Sequence, residues 1–488
     1  MIQGIDYAAI APPLILAAAA IGLLLADAFD VPRRALSLLS AGSLLAALIA
    51  VAALAAGERR ATFCLPDGLR SGGPPSCSYV ADGFTLLFQG IVLGAAVIVV
   101  LLSLREITDS KMPAGEYHFL LLAAVTGALA LVAARDLVLL VVALETLSLP
   151  VFALAALRRY DGTASEAALK LFLVSVVSTA IMLFGISLVY GATGAMHLDR
   201  IAPALSGLDA GLDPVASVGS VLVLAGFAFK VAAVPFHFWA PDVYQGSPLP
   251  VAAFLSVVSK AAGFAGLAIV LALGLPAYGH VWGPVIAVVA ALTMTLGNVL
   301  ALRQRTPIRL LAWSSVAQSG YMLAPLAVGS HRLPEAVAAT TAYVALYAVM
   351  NLGAFAVVIG FHRRTTLDDY RGLARRSPAA ATALAFFLIC LAGLPPGVMG
   401  LFAKVVVFRA AVAGGVTWLA VVMAINTVIG LYYYLAWAVR LFTPSPAGEH
   451  PEEGPGLPVR AAIAATAAGA VVLSAAPQIV LQTVSQVS

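Results

Sequence analysis

The sequence predicts an all-α polytopic membrane protein with about fourteen transmembrane helices. Hydrophobic residues make up 62% of the 488 residues and charged residues only 10%, whereas an ordinary soluble protein is about a quarter charged. The mean hydropathy is +1.01. At about 20 apolar residues for each helical span, the chain has room for a dozen or more spans joined by short loops.

The composition also excludes several classes of protein. A multidomain cytosolic enzyme or a disordered chain would carry many more charged residues. The net charge of +4 is spread thinly, with no basic stripe, which excludes a nucleic-acid-binding protein. A β-barrel is excluded because runs such as 91–102 lack the alternation of apolar and polar residues that membrane strands show.

Charge-poor segments bounded by arginine, proline and glycine clusters define the spans. The amino terminus has no basic region before its first apolar run and no clear cleavage site, so we expect the first span to remain in the protein. The fourteen spans are expected at 8–28, 35–56, 83–104, 117–134, 137–157, 167–191, 216–234, 250–274, 284–302, 310–328, 336–360, 379–413, 417–441 and 461–481.

Basic residues predict the orientation, because the cytoplasmic loops of membrane proteins are enriched in Lys and Arg. With the amino terminus outside, sixteen of the 27 Lys and Arg residues fall on the inner side and seven on the outer side. We therefore expect both termini on the outer side.

Two spans contain a break in the helical pattern. Span 7 runs into Pro235 and a half-polar stretch that ends at Pro250, and span 12 is interrupted at Pro395 and Pro396. Proline removes a helical donor and clashes with the preceding turn, and broken helices at corresponding positions of two halves are typical of inverted-repeat transporters. We therefore expect two inverted five-helix repeats with broken helices 7 and 12. The chain then divides into an N-terminal three-helix segment at 1–116, a first repeat of helices 4 to 8 at 117–274, a second repeat of helices 9 to 13 at 284–441, and helix 14 at 461–481.

The three cysteines provide no group of thiolates for a metal or an iron–sulfur cluster. Cys390 lies inside span 12, where we expect it to pack. Cys64 and Cys77 lie in one polar loop, and a disulfide between them requires that the loop faces an oxidising compartment. The sequence alone leaves that pairing open.

The lysines are concentrated in the membrane. Four of the five fall inside predicted spans, whereas the 22 arginines lie in loops or near helix ends. Arginine keeps its proton in proteins, but a lysine removed from water can release and rebind one, and a charge at a helix centre costs about 2.5 to 3.5 kcal/mol. The candidate proton-relay lysines are Lys170, Lys230, Lys260 and Lys404. Lys170, near the inner end of span 6, has the alternative of extending its amine to the membrane interface.

Glu145 is the one carboxylate, among 23 Asp and Glu residues, near the middle of a span. It needs a cation, and Lys230 is the first choice because it precedes the break of span 7. The alternative is an inert salt bridge that fixes helix packing, which is disfavoured because buried pairs seldom add net stability. Lys260 lies mid-span without a second carboxylate, and Lys404 follows the break of span 12.

The stretch around broken span 7 resembles the signature of the antiporter-like subunits of respiratory complex I. It comprises residues 226–250, GFAFKVAAVPFHFWAPDVYQGSPLP, followed ten residues later by Lys260. Further matches lie along most of the chain, at 135–150, 165–170, 295–298, 310–321, 350–355 and 391–404.

Within bacterial NADH:quinone oxidoreductase, the resemblance is to the subunit N branch of this family rather than to its relatives L and M. PDVY at 241–244, where the relatives are expected to read PDA, and SEAALK at 165–170 both favour N. Lys404 argues against M, where a glutamate is expected. The chain stops after span 14 without the long lateral helix expected of L.

The resemblance implies fourteen helices in two inverted halves, which move protons while electrons pass through other subunits. Glu145 would pair with Lys230. Lys260 would relay the proton centrally, and Lys404 would exchange it toward the outside. Family members often have His where this chain has Gln318, which does not titrate, so any relay role there must pass to water or to a neighbour.

The same resemblance implies no cofactor in this chain, with FMN, iron–sulfur clusters and quinone in partner subunits. The expected partners are the other membrane-arm subunits of complex I, the lipid bilayer and protons, with no nucleic acid, in the bacterial inner membrane. An alternative is a subunit of a multisubunit monovalent cation/proton antiporter, which has no redox partner. A passive scaffold does not account for four intramembrane lysines.

Overall fold

The computed structural model describes residues 4–66, 75–109, 112–158, 161–444 and 454–487. Three basic residues counted in the orientation argument, Arg70, Lys111 and Arg159, lie outside these ranges. The described chain is built from α-helices and one two-stranded antiparallel sheet.

The twenty α-helices of the described ranges follow one another as α1 Ala11–Ala28, α2 Arg33–Ala55, α3 Gly83–Asp109, α4 Ala114–Leu131, α5 Leu137–Ala155, α6 Gly162–Thr193, α7 Leu198–Ser206, α8 Asp213–Lys230, α9 Trp239–Gly246, α10 Leu249–Phe254, α11 Lys260–Ile269, α12 Gly279–Ala301, α13 Pro307–Leu323, α14 Leu333–Gly360, α15 Leu373–Arg376, α16 Pro378–Ala392, α17 Val398–Ala413, α18 Thr417–Phe442, α19 Leu457–Ala475 and α20 Gln478–Val487. The strands are β1 Arg60–Cys64 and β2 Cys77–Ala81, which lie between α2 and α3.

Twelve helical segments of the described ranges are long and apolar enough to cross a membrane. The predicted all-α, multi-pass fold is therefore confirmed. The count of fourteen spans also requires α13, which has 17 residues, and the interrupted pair α16 and α17. That count, the two inverted repeats and the division of the chain into four segments stay predictions.

Both predicted breaks are present. α8 ends at Lys230 and α9 begins only at Trp239, so the chain around Pro235 is not helical. α16 ends at Ala392, and α17 begins at Val398, after the two adjacent prolines. Each break falls where proline removes a backbone donor and crowds the preceding turn.

Besides the two strands of the hairpin, several elements were not predicted. Predicted span 8 is not a uniform α-helix, because π-helical segments at Leu255–Ser259 and Val270–Gly274 flank α11. The first of them ends immediately before Lys260, and such segments often occur at functional sites. The connection after α6 contains the amphipathic helix α7, and α20 is a separate helix of ten residues after α19.

The centre of the molecule is formed by α14 and by the span from α10 to the second π-helical segment. The apolar window of the latter, within Leu249–Gly274, is completely buried, whereas only 22% of the corresponding window of α19 is buried. α10 and α11 contact both α14 and α3. The irregular backbone of this span is therefore covered by protein, which is the condition for such backbone at membrane depth.

A disulfide-bonded hairpin covers one end of the bundle. Cys64 and Cys77 are register partners in β1 and β2, and their sulfur atoms are bonded, which resolves the pairing that the sequence left open. Beside the hairpin, Arg135 donates to Asp82 at 2.8 Å. Burial alone would raise the pKa of Asp82, but the charge of Arg135 and hydrogen bonds to the carboxylate hold that pKa below its usual value.

The disulfide predicts a defined thiol count. The denatured but unreduced chain should take up one equivalent of maleimide, at Cys390, and three equivalents after reduction, as measured by mass spectrometry. A Cys64→Ser variant should take up two equivalents without reductant, because Cys77 loses its partner. Three equivalents on the unreduced parent chain would contradict the pairing.

Candidate functional site

Three lysines are buried in the bundle, and each lies beside an irregular piece of helix. Lys230, Lys260 and Lys404 are 4%, 1% and 6% exposed. Lys230 is the last residue of α8, Lys260 follows a π-helical segment, and Lys404 lies on α17, just after the second break. Broken helices leave backbone groups without intrahelical partners, and one such carbonyl group accepts a hydrogen bond from Lys404.

Lys230 binds a hydroxyl group of α5. Its Nζ donates to Oγ of Ser148 at 2.7 Å and lies 5.7 Å from the ring centroid of Phe229. α11 approaches closely at Gly263, where an added Cβ would lie 2.9 Å from the Cβ of Lys230. The absence of a side chain on Gly263 is therefore what allows the end of α8 to pack against α11.

Glu145 is only partly buried, and its carboxylate accepts a hydrogen bond from Oγ1 of Thr179 at 2.7 Å. It makes no ion pair with Lys230 within 4 Å in the described part of the chain, because the amine binds Ser148 instead. Ser148 lies three residues after Glu145, on the same face of α5. The structure therefore joins the two groups through one turn of α5 and not through the direct contact expected from the sequence.

Lys260 has a complete set of neutral acceptors on one helix. Its Nζ donates to the carbonyl oxygen of Ser315 at 2.6 Å, to Oγ of Ser315 at 2.7 Å and to Oγ of Ser319 at 2.9 Å. An ammonium has three donors, so α13 can hold the protonated amine without a carboxylate. The hydroxyl of Tyr347, on α14, donates to Oγ of Ser315 at 2.7 Å.

Gln318 continues the polar face of α13 between two tyrosines. Tyr343 donates to its Oε1 at 2.5 Å, and its Nε2 donates to the hydroxyl of Tyr434 at 3.1 Å and to the carbonyl of Leu391 at 3.3 Å. The hydroxyl of Tyr434 also bonds to Ser314. The neighbours of this non-titrating residue are thus phenols of α14 and α18.

Lys404 binds the end of the interrupted helix. Its Nζ donates to the carbonyl oxygen of Ala392, the last residue of α16, at 2.6 Å. Gly393 follows in the left-handed region, with φ +82, and an added Cβ would lie 2.8 Å from Cδ of Lys404. The amine also lies 5.4 Å from the ring centroid of Tyr321. The break at the prolines therefore provides both the acceptor and the space for Lys404.

Lys170 lies apart from the buried lysines. Its side chain is 44% exposed and pairs with Glu166 at 2.8 Å and with Asp242 at 2.7 Å. Asp242 also pairs with Arg309 at 3.0 Å, and these residues line a surface cavity of about 340 Å³. The position fits the interface alternative, in which the amine extends out of the membrane.

The polar face of α13 lies between two of the three buried lysines, Lys260 and Lys404. Ser315 and Ser319 on this face bind Lys260. Gln318 on the same face donates to the carbonyl of Leu391, next to the carbonyl that binds Lys404. Sequence reasoning missed these serines, although Ser314, Ser315, Gln318 and Ser319 follow the i, i+3, i+4 spacing of one helix face. No group of three His, Cys, Asp or Glu residues that could hold a metal ion occurs in the described ranges.

Comparison with known proteins places the chain in a family. Residues 134–430, which contain all three buried lysines, match the family model described as NADH:quinone oxidoreductase/Mrp antiporter, transmembrane. The chain belongs to this family.

Members of the NADH:quinone oxidoreductase/Mrp antiporter family are similar to the chain over most of their length. NADH-quinone oxidoreductase subunit N 2 of Streptomyces griseus is 52% identical over 99% of this chain and 94% of that protein. NADH-quinone oxidoreductase subunit N of Salinispora tropica is 45% identical over 91% of this chain and 86% of that protein. The predicted resemblance to subunit N is thereby confirmed.

Solved structures agree with this assignment. A chain of respiratory complex I from Thermus thermophilus with bound aureothin is 31% identical, with a TM-score of 0.77, over 96% of this chain and 98% of that chain. A chain of the Mrp complex from Dietzia sp. DQ12-45-1b has a TM-score of 0.82 over 98% of this chain and 96% of that chain, but only 22% identity. The second likeness shows the fold alone.

The close approach at Gly263 predicts a sensitive position. A Gly263→Ala substitution should destabilise the protein by about 1 to 3 kcal/mol, because the added methyl meets the Cβ of Lys230 in a packed interior. Thermal unfolding of the purified protein in detergent measures the effect. Gly22→Ala is the control, since its Cβ would meet no atom within 4 Å, and equal unfolding temperatures for the two variants would contradict the packing.

Proposed function

We propose that the chain is a membrane-arm subunit of a proton-pumping NADH:quinone oxidoreductase and that its buried lysines carry the protons. The observation that carries the proposal is the set of three lysines, each buried and bonded to neutral oxygens, in a chain similar to subunit N over its whole length. A buried lysine without a carboxylate partner is a group that can gain and lose a proton.

The proton passes from the amine of Lys230 to that of Lys260 and then to that of Lys404. Lys230 lies against α11, which begins at Lys260, and the polar face of α13 leads from Lys260 toward Lys404. Because Gln318 does not titrate, transfer past it uses the hydroxyls of Tyr343 and Tyr434 or intervening water. Lys404 then exchanges the proton toward the outside.

Glu145 is the coupling group of this proposal. It is partly exposed on the surface of the chain, one turn from the serine that binds Lys230, so a neighbouring subunit can act on it. Withdrawal of its negative charge favours release of the Lys230 proton toward Lys260. Lys170 acts at the inner surface, where its network with Asp242 and Arg309 covers the inner end of the broken span.

The redox chemistry belongs to other subunits. FMN, iron–sulfur clusters and quinone are held by partners, and this chain contributes the translocation step of the enzyme. Moving one proton against 100 mV requires about 2.3 kcal/mol, which quinone reduction in the partner subunits supplies.

The orientation has both termini on the outer side of the bacterial inner membrane. The disulfide supports this, since disulfides persist in oxidising compartments. Asp6 pairs with Arg60 of the hairpin at 3.1 Å, and Thr483 lines one cavity with Glu58 and Asp82. Described residues near both ends of the chain therefore lie beside the disulfide-bonded hairpin.

Replacement of Lys230 tests the proton route. In membrane vesicles that contain the whole complex, Lys230→Ala should lower the ratio of protons pumped to NADH oxidised, because Lys260 loses its proton donor. The matched control is Lys111→Ala, which removes the one lysine outside the predicted spans. An unchanged ratio of protons pumped to NADH oxidised in Lys230→Ala would show that Lys230 is not part of the proton route.

Proton flux measured in the same vesicles distinguishes an oxidoreductase subunit from a cation/proton antiporter subunit. The proposal expects NADH-driven pumping to persist without sodium. A sodium-dependent proton flux that needs no NADH would assign the chain to the antiporter class instead.

A further inference from the structure

One face of α14 donates two hydrogen bonds into the surroundings of Lys260. Tyr347 and Asn351 are four residues apart and lie on the same side of the helix. The hydroxyl of Tyr347 donates to Oγ of Ser315 at 2.7 Å, and the amide of Asn351 donates to Oγ of Ser256 at 2.8 Å. Ser256 belongs to the π-helical segment that ends before Lys260. α14 therefore contacts both the helix that accepts from Lys260 and the segment that precedes it.

Ser315 is shared by two donors, Lys260 and Tyr347. Its Oγ lies 2.7 Å from Nζ of Lys260 and 2.7 Å from the hydroxyl of Tyr347. Ser315 is 0% exposed, and Lys260 and Tyr347 are each 1% exposed. A serine hydroxyl can accept two hydrogen bonds and donate one. Both acceptor positions of Ser315 are therefore filled while the amine is protonated.

Loss of the proton from Lys260 changes what its amine requires. A neutral amine has two N–H groups and one lone pair, and a buried lone pair needs a donor. The carbonyl oxygen of Ser315 cannot donate, and the hydroxyl of Ser319 already donates to that carbonyl at 3.1 Å. The hydroxyl of Ser315 is the remaining contact of the amine that can turn its proton toward the nitrogen.

Tyr347 determines what this rotation costs. With Tyr347 present, Oγ of Ser315 still accepts one hydrogen bond after its own proton turns toward the neutral amine. Without the Tyr347 hydroxyl this oxygen loses that bond, and a buried polar atom without a partner is costly. In the charged state Oγ accepts from the amine in either case. The Tyr347 hydroxyl therefore stabilises the neutral state of Lys260 more than the charged state.

We propose that Tyr347 is a positioning residue for proton release from Lys260, which acts through Ser315 and does not itself carry the proton. The proton leaves Nζ of Lys260 toward Lys404, the nitrogen keeps two N–H groups, and the hydroxyl of Ser315 rotates toward the lone pair. The O–H bonds of Ser315 and Tyr347 stay intact. The inference rests on the proposed function, because it concerns the step in which Lys260 gives up its proton.

The test compares the ratio of protons pumped to NADH oxidised by the whole complex in membrane vesicles. Tyr347→Phe keeps the buried ring and removes the hydroxyl. The ratio should fall by about half or more of the loss that Lys260→Ala causes, because the neutral state of Lys260 is no longer supported. A full ratio in Tyr347→Phe beside a lowered ratio in Lys260→Ala would overturn this inference and leave the proposed function standing. A full ratio in Lys260→Ala would contradict the proposed function itself.

Tyr244→Phe is the matched control. Tyr244, on α9, is 0% exposed and lies beside Ser315, but its hydroxyl makes no hydrogen bond of ordinary geometry in the described part of the chain. The substitution removes the same atom from the same neighbourhood, and it should lower the ratio less than Tyr347→Phe does. An equal or larger loss in Tyr244→Phe would overturn the assignment to Tyr347.

A double-mutant cycle separates action through Ser315 from a general effect on packing. In a Ser315→Ala background, Tyr347→Phe should lower the ratio no further, because the hydroxyl on which it acts is absent. Additive losses from the two substitutions would show that Tyr347 acts elsewhere, and the proposal would be wrong.

Discussion

The structure depends on the cost of holding a lysine amine in a membrane interior. A charged group there is stable only when paired, hydrated or fully hydrogen-bonded. Lys260 meets this requirement with three oxygens of α13 and no carboxylate. Because these acceptors are neutral, the site can accommodate the amine with or without its extra proton, which an ion pair would not allow equally well.

The irregular helices follow from the same constraint. A continuous α-helix uses most of its carbonyl groups internally, so the acceptors for a buried amine come mainly from side chains and from helix ends, although Lys260 also binds the carbonyl oxygen of Ser315 within α13. The break after α16 exposes the carbonyl of Ala392 to Lys404, and a π-helical segment ends where Lys260 begins. Gly263 and Gly393 have no side chain, which leaves space for the side chains of Lys230 and Lys404.

Much of this organisation could be predicted from the sequence, because hydropathy, proline and the placement of lysine are local signals. The breaks near Pro235 and Pro395 and the burial of Lys230, Lys260 and Lys404 were predicted correctly. The hydrogen-bond partners of these lysines were not predicted, since they depend on how the helices pack. The Ser148 hydroxyl took the place of the expected carboxylate at Lys230, and Lys170 lies at the surface, where Glu166 and Asp242 bind it.

The most direct measurement of the central claim is the proton-to-electron ratio of a complex with Ser315→Ala and Ser319→Ala. These substitutions remove two of the three bonds to Lys260 and leave its amine in place. The account predicts an assembled complex that oxidises NADH with a lower ratio. Ser220→Ala is the control, a buried serine that bonds only to its own helix among the described contacts. A full ratio in the double variant would contradict the claim that α13 holds the relayed proton.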